Sequence, residues 1–184
     1  MGTNELAAKI VEELRLAVSQ MPETAGDQLA GAILEANRIF VAGAGRSGLM
    51  MKAFAMRLMH LGFRVYVIGE TVTPGVDEGD LLLIGSGSGE TRTLVGMADK
   101  AKSLRAQVAV LTIQPHSSIG ALSDIVLPLP GTPKDQSGSS LTIQPMGSLF
   151  EQTLLLFLDA VILRLMGKTG QTSMTMFGKH ANLE

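Results

Sequence analysis

Apolar residues between positions 4 and 21 recur at helical spacing among Glu5, Lys9, Glu12, Glu13 and Arg15, which predicts an amphipathic helix rather than a leader peptide. A second helix is predicted from Thr24, where Thr24 and Asp27 have capping-box spacing, to Asn37. The pattern then changes. Residues 38–42 are a short apolar run ending at Gly43, residues 64–68 a second, and residues 80–84 a third without polar alternation. Two more follow at 107–111 and 125–127. Such runs read as strands buried on both faces. Helical segments lie between them at 47–61, 90–104 and, shorter, 118–122, with Gly62 as a stop for the first. Strands alternating with helices specify right-handed βαβ units, hence a doubly wound α/β parallel sheet of five strands flanked by helices.

A polar loop rich in Ser and Thr spans 131–147, and loops of that length inside a compact domain are usually functional or mobile. It leads into a helix from Ser148 or Leu149 to Met166 that is apolar nearly all round, so that one face needs a partner beyond the sheet. A tail follows, with a short helix predicted at 172–177. The organisation expected is one domain over 1–184: a helical segment 1–37, an α/β core 38–166 and a tail 167–184.

Composition narrows the function classes. Hydrophobic residues make up 46 % of the 184, which excludes disorder as the dominant state. Charged residues are only 17 %, against about 25 % in an average domain. So few charges suggest a surface partly covered by other subunits. A net charge of -2 offers no basic field for nucleic acid or an anionic membrane. The absence of Cys excludes disulfides and thiolate metal sites. His60, His116 and His180 form no ligand pair, so no metal is expected. The apolar stretch 149–166 is interrupted by Glu151, Asp159 and Arg164, charges a membrane span would not carry. A cytoplasmic protein is expected.

Two glycine-rich turns carry the candidate chemistry. Gly85-Ser86-Gly87-Ser88-Gly89-Glu90-Thr91 follows a strand and opens a helix, at the sheet edge where ligands bind in open α/β folds. Its glycines admit close backbone approach, and its hydroxyls and helix-start N–H groups form a phosphate cradle. Gly43-Ala44-Gly45-Arg46-Ser47-Gly48 follows the first strand. It lacks the third glycine of a dinucleotide fingerprint, although Glu70 past the second strand keeps a nucleotide site open as an alternative. Arg46 and Ser47 supply a cation and a hydroxyl to the same pocket. Further on, Ser148 and Glu151 have capping-box spacing, so Glu151 reads either as a cap or as a catalytic carboxylate. His60, near the end of its helix, reads either as a charge suited to the dipole or as a catalytic imidazole.

The segments 41–47, 84–91 and 147–151 together resemble the sugar isomerase (SIS) domain family over almost the whole chain. Further segments, 59–62, 69–74, 145–147 and 180–184, resemble the branch of that family that moves a carbonyl between C3 and C2 of a hexulose 6-phosphate. The resemblance implies a flavodoxin-like three-layer fold, a homotetramer and the hexulose 6-phosphate and fructose 6-phosphate pair as substrates. It also implies functional coupling to the synthase that makes the hexulose phosphate, in the ribulose monophosphate route of formaldehyde fixation. Glu151 becomes the general base and His60 a second catalytic group. Gly45, Arg46, Ser47, Ser86, Gly87, Ser88, Gly89, Glu90, Thr91 and Lys134 become substrate-binding residues. No cofactor is expected, because the electrons stay within the substrate. The alternatives are an aldose–ketose isomerase of the same fold acting on arabinose 5-phosphate, and a non-catalytic module that senses a sugar phosphate.

Overall fold

Five short apolar runs form one parallel sheet in the computed structural model, which describes residues 1–132 and 142–183. Two helices lead, α1 (Thr3–Ser19) and α2 (Ala25–Glu35). The alternating core follows as β1 (Ile39–Gly43), α3 (Gly45–Leu61), β2 (Val65–Val67), β3 (Leu81–Gly85), α4 (Arg92–Ser103), β4 (Gln107–Thr112), α5 (Ser118–Leu122) and β5 (Ile125–Pro128). The long α6 (Ser148–Thr169) and the short α7 (Ser173–Phe177) close the chain.

The sheet order is β2-β1-β3-β4-β5, parallel throughout. Successive side chains of each strand enter opposite layers. Ile39, Val41, Leu81 and Leu83 join the layer built by α2, α3 and α6. Phe40, Ala42, Leu82 and Ile84 join the layer under α4 and α5. Both faces are covered, so β3 is buried along its whole length and its sequence shows no polar alternation. Strand order reverses between β1 and β3, which pair so that Gly43 lies beside Gly85 and Gly85 beside Leu111. That reversal leaves a crevice at the carboxyl ends of β1 and β3.

Local chemistry explains the boundaries. Gly62 ends α3 in the left-handed conformation (φ 98°), as Gly170 ends α6 (φ 67°). The expected stop of α6 at Met166 is corrected: the helix runs through Gly167 to Thr169, because Gly170 is the residue that takes the left-handed turn. The Thr24–Asp27 capping box does not form either. Thr24 makes no side-chain cap, and Asp27 instead pairs with Arg164 and Lys168 of α6. Asp27 thereby joins α2 to α6. The predicted helix at 90–104 begins two residues later, at Arg92, because Thr91 is extended (ψ 112°). No helix among the described residues is long and apolar enough to cross a membrane.

Candidate active site

The first requirement of the crevice is that backbone approach backbone. An added Cβ on Gly43 would lie 2.8 Å from the Gly48 Cα, and one on Gly48 would lie 2.6 Å from the Gly43 carbonyl oxygen. The first turn of α3 therefore sits directly on the end of β1. Gly45, between them, holds φ 57°. This delivers Arg46 and Ser47 to the mouth of the crevice.

The loop after β3 is fixed by its neighbours. The Ser86 N–H donates to the Leu111 carbonyl (3.0 Å), and the Ile113 N–H donates to the Gly87 carbonyl (3.1 Å), which the Thr112 hydroxyl also reaches. Inside the loop, the Gly89 N–H donates to Ser86 Oγ and the Glu90 N–H to Ser88 Oγ, each at 3.2 Å. Gly89 takes φ 65°, and a Cβ there would collide with Ser117. Glu90 does not point at the crevice. Its carboxylate accepts from the Ser118 N–H and hydroxyl, both at 2.7 Å, and these bonds hold the carboxyl below its usual pKa. It ties the loop to the start of α5. Thr91 has no side-chain capping bond, and in the first turn of α4 the Leu94 N–H donates to the Thr91 carbonyl (2.9 Å), which leaves the Arg92 and Thr93 N–H groups available to an anion.

Ser47, Ser86, Gly87, Ser88 and Thr91 line one cavity of about 320 Å³, and Glu151 lies in the same wall. Glu151 is 4 % exposed. The capping-box arrangement with Ser148 does not form: Gly147 is the N-cap of α6 and no side chain caps it. Instead the Glu151 Oε2 pairs with the Arg46 Nε at 3.0 Å, and an Arg46 terminal nitrogen donates to Ser148 Oγ at 3.4 Å. The cavity thus has hydroxyls and amides on one side and a buried carboxylate on another.

His60 lies elsewhere in the chain. It is 3 % exposed, in the last turn of α3, and lines a different cavity with Arg57, Asp159, Phe177 and His180. Its ring stacks on His180 at 5.5 Å. Burial, the Arg57 charge and His180 push its pKa below the ordinary value, so it is neutral near pH 7. One chain therefore does not bring His60 to Glu151. Glu70 and Gly45 do not line the cavity, and Lys134 lies outside the described residues.

Several cavity residues were not singled out from the sequence. Leu94, Ile113 and Phe150 form an apolar wall, and Thr132 contributes a buried hydroxyl with no hydrogen-bond partner among the described residues. Leu94, one turn into α4 from Thr91, was findable by helical spacing. Ile113, Thr132 and Phe150 meet only through tertiary packing. Glu13 of α1 braces the approach to α6: its carboxylate accepts from the Thr142 hydroxyl, the Ile143 N–H and the Gln144 amide.

Comparison with known proteins agrees with this geometry. Residues 32–156 match the SIS domain. The chain is 60 % identical to the 3-hexulose-6-phosphate isomerase of Bacillus subtilis, with all of both chains covered. It is 45 % identical to the enzyme of the same name from Mycobacterium gastri, over 85 % of this chain and 78 % of that one. Among solved structures, a Methanococcus jannaschii protein whose crystal structure infers a 3-hexulose-6-phosphate isomerase function superposes with a TM-score of 0.81. That pair is 32 % identical over 98 % of each chain.

Proposed function

The chain belongs to the SIS-domain family, and on that premise we propose that it interconverts D-arabino-hex-3-ulose 6-phosphate and D-fructose 6-phosphate through a cis-enediol. The observation that supports this most directly is the pairing, in one cavity, of a hydroxyl-and-amide cradle with a buried carboxylate. The cradle of Ser47, Ser86, Ser88 and Thr91 takes the phosphate. Glu151, across the cavity, takes the proton from C2. The C–H electron pair becomes the C2–C3 double bond, and the carbonyl electrons move to O3, which is protonated. O2–H then loses its proton, the C2 carbonyl forms, and Glu151 returns its proton to C3. Electrons balance within the sugar, so the step calls for no redox cofactor. A positioned base contributes about 10²–10⁴-fold to such a transfer. Holding the distant phosphate fixes the reacting carbons against it.

The oligomer belongs to the same proposal. Leu163 of α6 and Phe177 of α7 are exposed apolar side chains lining the His60 cavity, and Leu156 and Met174 are further exposed apolar side chains of the same two helices. A homotetramer would cover them and carry His60 or His180 toward the cavity of a neighbouring subunit, where a neutral imidazole can pass a proton between O2 and O3. A concentration-independent mass of 19.4 kDa in solution excludes this. In the cell the activity fits the cytoplasm and the ribulose monophosphate route, coupled to 3-hexulose-6-phosphate synthase. The experiment that tests the reaction is isotopic. When the hexulose phosphate is converted in deuterium oxide, deuterium enters C3 of fructose 6-phosphate; a product free of deuterium throughout argues against an exchanging carboxylate base.

A further inference from the structure

The Glu151 carboxylate has one charged partner among the described residues, and that partner is unusual in its exposure. The Arg46 side chain is 58 % exposed, whereas that of Glu151 is 6 % exposed. Arg46 grips at two points, with Nε on Glu151 Oε2 at 3.0 Å and a terminal nitrogen on Ser148 Oγ at 3.4 Å. Both contacts come from one planar guanidinium, one an ion pair to the carboxylate and the other to the hydroxyl three residues before it, so Oε2 is held while the guanidinium itself is anchored to the same helix. They also join the first turn of α3 to the first turn of α6, the elements that flank the crevice.

We propose that Arg46 is a positioning residue for the base: it occupies Oε2 of Glu151 and leaves Oε1 to carry the proton between C2 and C3. This rests on the reading of Glu151 as the base. The cradle assigned to the phosphate takes Ser47, beside Arg46, and the hydroxyls of the loop after β3, whereas the two polar contacts of the Arg46 side chain go to Glu151 and Ser148, so the guanidinium serves the carboxylate rather than the phosphate. In each half-reaction the C–H proton moves to Oε1 and back, while Oε2 keeps its ion pair with Arg46. The pair neither gains nor loses a proton over the cycle.

The test compares R46A and R46K with wild type in kcat, KM, melting temperature and the Kd of inorganic phosphate. Mispositioning a catalytic group by an ångström costs about 10²-fold, and a fall of that order in kcat is expected for R46A. KM and phosphate Kd should stay within about threefold, since no phosphate contact is lost. Guanidinium ion added to R46A should restore part of kcat, and R46K should recover less than that, because an ammonium lacks the planar fork. Melting should follow wild type in both variants. Retention of kcat in R46A overturns the proposal. So does a loss of phosphate affinity of about tenfold or more, which would move Arg46 to the phosphate. If instead E151Q turns over normally while wild type is active, the reading of Glu151 fails first, independently of Arg46.

Discussion

Replacing Glu151 by Gln separates chemistry from stability, because a general base and an ion-pair partner differ widely in magnitude. Gln is nearly isosteric, and its side-chain oxygen can take the place beside Arg46 Nε that Oε2 now occupies. The lost charge attraction is small, because Arg46 is largely exposed and water can serve it; such pairs are worth about 0.2–1 kcal/mol. In a domain of this size about 1 kcal/mol moves Tm by roughly 2–4 °C. As Gly147 rather than Ser148 is the N-cap, no capping interaction is lost with the carboxylate. A neutral amide, however, cannot take a carbon-bound proton. Turnover should fall by about 10²–10⁴, or roughly 2.7–5.4 kcal/mol of barrier. Binding of fructose 6-phosphate by calorimetry should stay near wild type. The assay is steady-state conversion of the hexulose phosphate, with fructose 6-phosphate read by a coupled enzyme. Wild-type kcat in E151Q would refute the role of Glu151 and leave its burial to be explained by packing alone.

Single alanine changes at Ser47, Ser86, Ser88 and Thr91 should weaken fructose 6-phosphate binding, by about 1–3 kcal/mol where a hydrogen bond to the charged phosphate is lost. Calorimetry reads this, and unchanged affinity in all four variants would remove the cradle from the mechanism. E90Q should act through the loop instead: losing charge on the two Ser118 bonds should raise the phosphate Kd modestly and leave kcat unaltered, and a changed kcat would argue for direct contact. Burial works against the Glu13 charge, but its bonds to Thr142, Ile143 and Gln144 outweigh it and hold the carboxyl below its usual value. A depressed carboxylate stabilises the fold above its ordinary pKa and loses that contribution as pH falls through the depressed one. Denaturant unfolding of E13Q should accordingly be less stable than wild type at neutral pH and converge with it in acid; a constant gap across pH would reject the charge as the cause.

Much of the frame was readable from residue order. Unbroken apolar runs alternating with helical segments are what a parallel sheet covered on both faces produces, and the family resemblance stands. Ser86, Gly87, Ser88 and Thr91 were legible because a glycine-rich turn between strand and helix has local chemistry. Contacts closed by tertiary packing were not. Arg46 and Glu151 share no local pattern, so their pairing was not legible: Glu151 was reached through the family resemblance and through its capping-box spacing with Ser148, and that spacing pointed to a bond that does not form. Asp27 misled in the same way, since its partners Arg164 and Lys168 lie on the last long helix. Glu90 sits inside a binding motif yet turns its side chain to Ser118, a contact made only once α5 packs against the loop.

The seat of α3 on β1 and the wall of the cavity are built of two kinds of material. On one side, Gly43 and Gly48 touch main chain to main chain, and any side chain at either position would push the helix away. That side has no adjustable parts. The apolar wall of the cavity, Leu94, Ile113 and Phe150, is made of side chains instead, and these set its shape. Anyone wishing to retune this fold toward a longer or shorter phosphosugar should therefore randomise the wall and leave the glycine seat alone. Variation at the wall changes the shape of the cavity, whereas variation at the seat displaces Arg46 and Ser47 together.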